Sequence, residues 1–316
     1  MDTLTSAYAR CRELHRVHGR TYYLATKLLP AWKRPHVHAL YGFTRYADDI
    51  VDTTADLAPA ERAARLEAWS ATFLAGLAGA PVDDPLLPAV LNTVMKFDID
   101  RNDFDAFLRS MTMDLTVTDY ATYEDLLSYM DGSAAVIGTM MLPILGSADP
   151  VAARGPAREL GLAFQLTNFI RDVAEDLERG RVYLPLADLE RFGLTPADLA
   201  AAADARRATA PIRELIAFEV QRARRHYADA APGIPMLERS SQACIRAAYC
   251  VYGAILTEIE QQNYDVFARR AVVPKRKRLL TAARCFATRP GRPVSVPGRP
   301  ADPGRTPIAA ALAALL

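Results

Sequence analysis

The 316-residue chain has only four cysteines, Cys11, Cys244, Cys250 and Cys285, and no C-x-x-C spacing among them. Neither a disulfide framework nor a cysteine-based zinc module is written into it, and a reducing cytoplasmic setting is expected. No G-x-x-x-x-G-K-[ST] loop and no G-x-G-x-x-G opening a helix occurs, which removes the standard sites for ATP and dinucleotides. The net charge is only +1, so nothing global draws the chain to nucleic acid. The first residues, "MDTLTSAYARCRELHR", lack the basic-then-apolar pattern of a signal peptide. The late apolar run "PIAAALAALL" covers about half of what a spanning helix needs. No Ser-His-Asp or Cys-His arrangement stands out.

What is present is 51% hydrophobic and 24% charged, enough for a large core. Apolar residues recur at helical spacing through most of residues 5–285, and no stretch alternates with period two. The expected fold is all-α, with roughly ten helices. Pro35 opens one helix, "AGAPVDDP" separates two more and "LGSADP" closes another. From residue 288 the composition turns to "RPGRPVSVPGRPADPGRTP", which sustains neither helix nor core. A single domain over 1–287 and a disordered tail over 288–316 are therefore expected.

Two acidic stripes carry the chemical signal. In "FQLTNFIRDVAED", Asn168, Asp172 and Asp176 fall four residues apart amid apolar neighbours, and that spacing stacks them on one helix face. In "YGFTRYADDIVD", Tyr41, Arg45, Asp48 and Asp52 form a second stripe, with Asp49 turned about 100° away toward the surface. One such stripe is explained by a solvated face paired with Arg171, Arg179 or Arg181. Two stripes on distant helices, each embedded among apolar residues, instead suggest facing helices whose oxygens converge.

All-oxygen donors suit Mg²⁺, with Mn²⁺ as a substitute, completed by water and substrate phosphates. Zinc is served worse, because Cys11, His15 and His18 lack a fourth ligand. Metal-held carboxylates, the cations Arg45 and Arg171, and an apolar helical cavity together suit the ionisation of an allylic diphosphate, in which dry walls protect a carbocation. Aromatic faces can stabilise such a cation. Tyr22, Tyr23, Phe43, Phe164 and Tyr129 are candidates, although for each one taken singly a place in the plain core is the stronger expectation.

Several segments carry a resemblance: "HGRTYYLATKLLP", "YGFTRYADDIVD", "YMDGSAAVIGTMMLPIL", "FQLTNFIRDVAEDLERGRVYLP" and "QNYDVFARRAVVPKRKR". Together they resemble the squalene/phytoene synthase family of head-to-head isoprenyl transferases over roughly residues 10–285, and within it the bacterial phytoene synthases most. The resemblance implies an isoprenoid-synthase helical bundle around a central cavity, holding Mg²⁺ through Asp48, Asp52, Asn168, Asp172 and Asp176. It implies diphosphate contacts from His18, Gly19, Arg20 and Thr21, from Tyr41 and Arg45, from Gln165 and Arg171, and from Tyr252 and Arg269. Tyr129 would face the reacting centre. The implied reaction joins two geranylgeranyl diphosphates through prephytoene diphosphate to phytoene, without NADPH. Alternatives are a C30 squalene or dehydrosqualene synthase using farnesyl diphosphate, and a non-catalytic prenyl-lipid binder. Pro274 looks inserted before "KRKR", which loosens the register of Arg269, and Asp131 and Gly19 also depart from the pattern.

Residues 269–292 hold nine Lys or Arg and no acid, a patch suited to steering anionic substrate or resting peripherally on an acidic membrane leaflet. The small residues of "GSAAVIG", Gly132 to Gly138, allow either room beside a prenyl chain or close helix packing. "GRVYLP", Gly180 to Pro185, reads as a lid or as an ordinary connector. His36 and His38 are expected to be structural or solvent-facing.

Overall fold

The computed structural model describes residues 3–52, 57–288 and 291. Apart from Thr288 and Gly291, the expected tail lies outside them. The helices are α1 (Thr3–His18), α2 (Arg20–Thr26), α3 (Arg34–Asp52), α4 (Pro59–Leu77), α5 (Leu87–Phe97), α6 (Arg101–Met113), α7 (Tyr123–Met130), α8 (Val136–Leu145), α9 (Pro150–Glu178), α10 (Leu186–Arg191), α11 (Pro196–Asp204), α12 (Ala210–Ala230), α13 (Arg239–Gln261) and α14 (Lys275–Ala287). A π-turn, Asp131–Ala135, joins α7 to α8, and a 3₁₀ turn, Ala231–Met236, follows α12. No strand forms among the described residues. The all-α expectation holds, but among the described residues fourteen α-helices replace roughly ten, because α2, α10 and α11 are shorter than the stretch over which helical periodicity shows.

The helix ends follow local chemistry. Asp149 caps the 29-residue α9 by accepting from Ala152 N at 3.0 Å, with Pro150 at the first helical position. Past its other end Gly180 takes φ +73°, a left-handed stop that favours glycine. The proline-marked breaks fall as the sequence suggests, at 27–33, 78–86 and 146–149.

Two hydrophobic clusters fill the bundle. One is built mainly from α1, α3, α5, α6 and α8, the other from α7 and α9 to α13, and Tyr22, Phe164 and Ile245 pack against both. Along this seam small residues bring backbones together. A Cβ on Gly138 would collide with the Ala157 carbonyl, one on Gly161 with the Ala134 carbonyl, and one on Gly132 with the Ala106 carbonyl. The "GSAAVIG" segment thus serves close packing, and its Ser133, Ala134 and Gly138 also line a cavity beside α9. His36 and His38 are both buried; neither faces solvent. His38 Nδ1 lies 2.8 Å from His15 Nδ1, and His36 meets Tyr8 and Thr93.

Candidate active site

α3 and α9 bring the two acidic stripes to one polar chamber of about 900 Å³. Tyr41, Arg45, Asp48 and Asp52 line it from α3, and Gln165, Asn168, Arg171, Asp172 and Asp176 from α9, with Tyr129 between them. An apolar cavity of about 300 Å³ adjoins the chamber, and no Asp, Glu, Lys or Arg lines it. Tyr41, Thr44, Ser133, Ile137, Gln165 and Asn168 belong to both walls. Of the aromatic candidates, Tyr22 and Phe164 line the apolar cavity and Tyr129 the chamber, whereas Phe43 is core among Trp69, Phe73 and Phe104. Tyr23 stacks on His38, outside both cavities.

The chamber holds its acids in two electrostatic conditions. Burial, and after it the neighbouring Asp52, pushes the Asp48 carboxyl up to about 7. Burial and then Asp172 push Asp176 up to about 7. Asp172 sits below its ordinary value: burial would raise it, but hydrogen bonds from Arg171 and Arg270 outweigh that effect. Asp52 accepts from Arg181 at 2.9 Å and Arg179 at 3.5 Å, a contact that ties α3 to the segment after α9. The arginine pairing of a solvated face is therefore present, but inside a chamber. Asp49 pairs with Arg45 at 2.5 Å and is half-buried rather than turned to solvent.

The fit to a divalent cation rests on this chain's own atoms. Asn168 Oδ1 is buried without a hydrogen-bond partner, and burial and neighbouring carboxylates outweigh the nearby arginines at Asp48, 3.2 Å from Arg45, and at Asp176. Every candidate donor is oxygen, which suits Mg²⁺. Among the described residues no three acidic, His or Cys side chains close on one point. That suits a cation drawing most of its oxygens from a phosphate and water rather than from a closed protein cage. It also leaves Cys11, His15 and His18 without a zinc site.

Other expected contacts lie elsewhere. His18 and Arg20 are exposed, and Gly19 is buried at the α1–α2 junction, where a Cβ would strike the His15 and Tyr41 rings. Thr21 lines a smaller pocket of about 130 Å³ with Arg171, Arg270 and Arg278. Tyr252 stacks on Tyr22 at 4.6 Å, meets Phe164 at a tilt at 4.7 Å, and lines neither cavity. Arg269 is exposed; its neighbour Arg270 reaches Asp172 at 2.8 Å, a shift of one residue where Pro274 had loosened the register. Asp131 forms an ion pair with Arg158 of α9, which accounts for that departure.

Sequence reasoning missed Asp114 and Tyr183 on the chamber wall, and named Arg181 only as a partner for the α9 stripe, whereas it pairs with Asp52 of α3. Asp114 accepts from Tyr129 Oη at 2.8 Å and from Tyr183 Oη at 3.3 Å; burial, only partly offset by the Tyr129 hydrogen bond, pushes its carboxyl up to about 6. "GRVYLP" is pinned rather than hinged, since Val182 N donates to Thr118 O and Leu186 N to Tyr120 O. No local pattern marks Asp114, a lone acid after α6.

This all-α bundle, with its carboxylate chamber opening onto an apolar cavity, has the architecture of isoprenoid synthases. The squalene/phytoene synthase family matches residues 15–277. A phytoene synthase of Arthrospira platensis is 35% identical over 290 residues, covering 88% of this chain and 92% of that protein. A 15-cis-phytoene synthase of Synechocystis is 37% identical over 289 residues, covering 88% and 84%. Among solved structures, a dehydrosqualene synthase in complex with ligand superposes with a TM-score of 0.81 at 26% identity, covering 89% and 96%. A squalene synthase from Alicyclobacillus acidocaldarius gives 0.74 at 28% identity, covering 84% and 99%. The chain belongs to the squalene/phytoene synthase family, whose members are transferases acting on prenyl diphosphates.

Proposed function

We propose that the protein is a phytoene synthase. It joins two geranylgeranyl diphosphates head to head through prephytoene diphosphate and releases both diphosphates. The observation that carries this reading is the junction of the two cavities: a chamber of carboxylates and arginines shares six wall residues with a cavity free of charged side chains. Asp48, Asp52, Asn168, Asp172 and Asp176 would hold Mg²⁺, or Mn²⁺ in its place. When bound, the metal supplies Lewis-acid stabilisation of the departing diphosphate. Arg45 and Arg171 orient that group from the protein side. The apolar cavity takes a prenyl chain and keeps water from the cation. The His18–Thr21 junction and Tyr252 are assigned to the second diphosphate, with Arg270 in the role first given to Arg269. The route from two diphosphates to phytoene needs no reductant, so NADPH is not called for.

Purified protein given geranylgeranyl diphosphate and Mg²⁺, without NADPH, is expected to form a C40 hydrocarbon carrying a conjugated triene, and to release two diphosphates per product. A preparation that folds and makes no C40 hydrocarbon would sink the proposal. The second reading, C30 synthesis from farnesyl diphosphate, draws support from the solved relatives, which include a dehydrosqualene and a squalene synthase. Competition between the C15 and C20 substrates separates the two.

A peripheral membrane contact is assigned to α14. Lys277 and Arg278 of its "KRKR" turn inward to Glu258 and Thr21. Lys275 and Arg276 are exposed beside exposed Val272, Leu279 and Leu280, a pairing of cations and apolar groups that suits an anionic lipid surface. No described helix is long and apolar enough to cross a membrane. Sedimentation with anionic vesicles should weaken with salt; salt-insensitive or absent sedimentation counts against the contact.

A further inference from the structure

One wall of the chamber is unlike the rest. Tyr129, Phe169 and Tyr183 line it, with Phe169 and Tyr183 stacked at 4.0 Å and Tyr129 within 5.9 Å of Tyr183. Tyr120 backs Tyr129 at 5.3 Å. Asp114, itself buried, lies at the hydroxyl end of two of these rings and accepts from both Tyr129 and Tyr183. Arg181 acts on Asp114 through its charge while its own donors are spent elsewhere: one guanidinium nitrogen takes the Asp114 backbone carbonyl at 3.0 Å, and the other bonds Asp52 at 2.9 Å and Tyr183 Oη at 3.4 Å.

The hydrogen-bond inventory then restricts what this wall can offer. A tyrosine has a single O–H. Both hydroxyl protons point at Asp114, so neither tyrosine has a donor left for a phosphate oxygen. What remains toward the chamber is chiefly the ring faces, electron-rich and backed by a carboxylate, since the Tyr183 oxygen also accepts from Arg181 at 3.4 Å. Such a surface repels diphosphate and attracts a cation. Of the chamber arginines, Arg45 pairs with Asp49 and Arg171 with Asp172, whereas Arg181, which does touch Tyr183, is committed to Asp52 and the Asp114 backbone carbonyl.

We propose that Asp114 is a positioning residue for the carbocation: by holding the Tyr129 and Tyr183 hydroxyls it turns the Tyr129–Phe169–Tyr183 wall into the place where positive charge is stabilised, apart from where the diphosphate is bound. This deepens the prenyl diphosphate reading and rests on it. Removing the charge while keeping the shape, as in Asp114→Asn, should weaken the wall's hold on a cation and leave the diphosphate subsite alone.

The probe is a geranylgeranyl-dimethylammonium salt, titrated calorimetrically into the full-length protein holding Mg²⁺ and inorganic pyrophosphate, beside a neutral geranylgeranyl amide of similar shape. The wild type should bind the ammonium at least about tenfold more tightly than the amide. Asp114→Asn should erase most of that preference while pyrophosphate affinity changes less than about twofold. Asp114→Glu should restore part of it. A merely structural role predicts equal losses for ammonium, amide and pyrophosphate, and that result, or an unchanged preference, overturns the proposal. If Asp114→Asn does not fold, Tyr183→Phe replaces it, and an unchanged preference there is equally fatal. Wild-type protein that binds magnesium pyrophosphate but does not prefer the ammonium defeats this inference alone. Protein that binds neither defeats the functional reading and this inference with it.

Discussion

The polar chamber and the apolar cavity adjoin through six shared residues and are built in opposite ways. The chamber is lined by acids and arginines from α3, α9 and the segment after α9, and its charges are only partly paired. The cavity has no Asp, Glu, Lys or Arg, and around it backbone packs on backbone at Gly138 and Gly161. The chamber thus holds unsatisfied electrostatic potential that a ligand can discharge, whereas the cavity offers only apolar volume and is changed by filling or enlarging it. Substitutions in the two regions should therefore fail differently.

The largest effect is expected in the chamber. Asp172→Ala removes the carboxylate that both Arg171 and Arg270 hold, and turnover should fall by about a hundredfold or more with helicity by circular dichroism unchanged. Turnover within a factor of about three of wild type would show that the chamber is not where chemistry occurs. Next comes the seam. Gly161→Val drives a side chain at the Ala134 carbonyl and should lower stability by about 1–3 kcal/mol, read as a shift in the urea midpoint. An unshifted midpoint would mean that α9 can move away from the π-turn.

A subtler change separates volume from chemistry. Ala157→Phe fills part of the apolar cavity that Ala157 lines, and should shift the ratio of kcat/KM for the C20 over the C15 substrate by about tenfold toward C15, while the Mg²⁺ concentration for half-activity stays the same. A change in metal requirement instead would show that the two regions are mechanically coupled.

The smallest effect concerns protons. Asp48 titrates near about 7 in the folded chain against about 3.9 unfolded. Between those values the folded state holds more protons, so this carboxyl costs stability progressively as pH rises from about 4 to 7, and the full cost persists above 7. In metal-free protein, Asp48→Asn should therefore gain on wild type by a few degrees in Tm, about 2–4 °C, at pH 8, and by less at pH 5. Magnesium pyrophosphate should reverse the order at pH 8, because only the wild type keeps the anionic ligand. A pH-independent difference would contradict the raised carboxyl.

Much of the chamber was legible beforehand because helices write their faces into sequence. Asp48 and Asp52, and Asn168, Asp172 and Asp176, announce a shared face by spacing alone, and their apolar surroundings announce that the faces are buried. Arg270 was nearly legible, since only its register against Arg269 was off. Asp114 and Tyr183 were not, because a single acid after a helix and a tyrosine in a connector carry no periodicity. His38 stayed open between a structural and a solvent-facing place for a related reason: no spacing along one helix could show that His15, 23 residues earlier, would lie against it.

The sequence by itself determined the all-α class, the two acidic faces and the positions of most helix ends, because each of these is set by residues within about two turns of one another. Only the tertiary structure decided that Arg181 would clamp Asp52, that Arg270 would reach Asp172, and that Asp114 would gather two tyrosines into one wall. Those contacts join residues 15 to 129 positions apart. What brings them together is the burial of apolar faces from every helix at once, a sum over the whole chain that no local pattern contains.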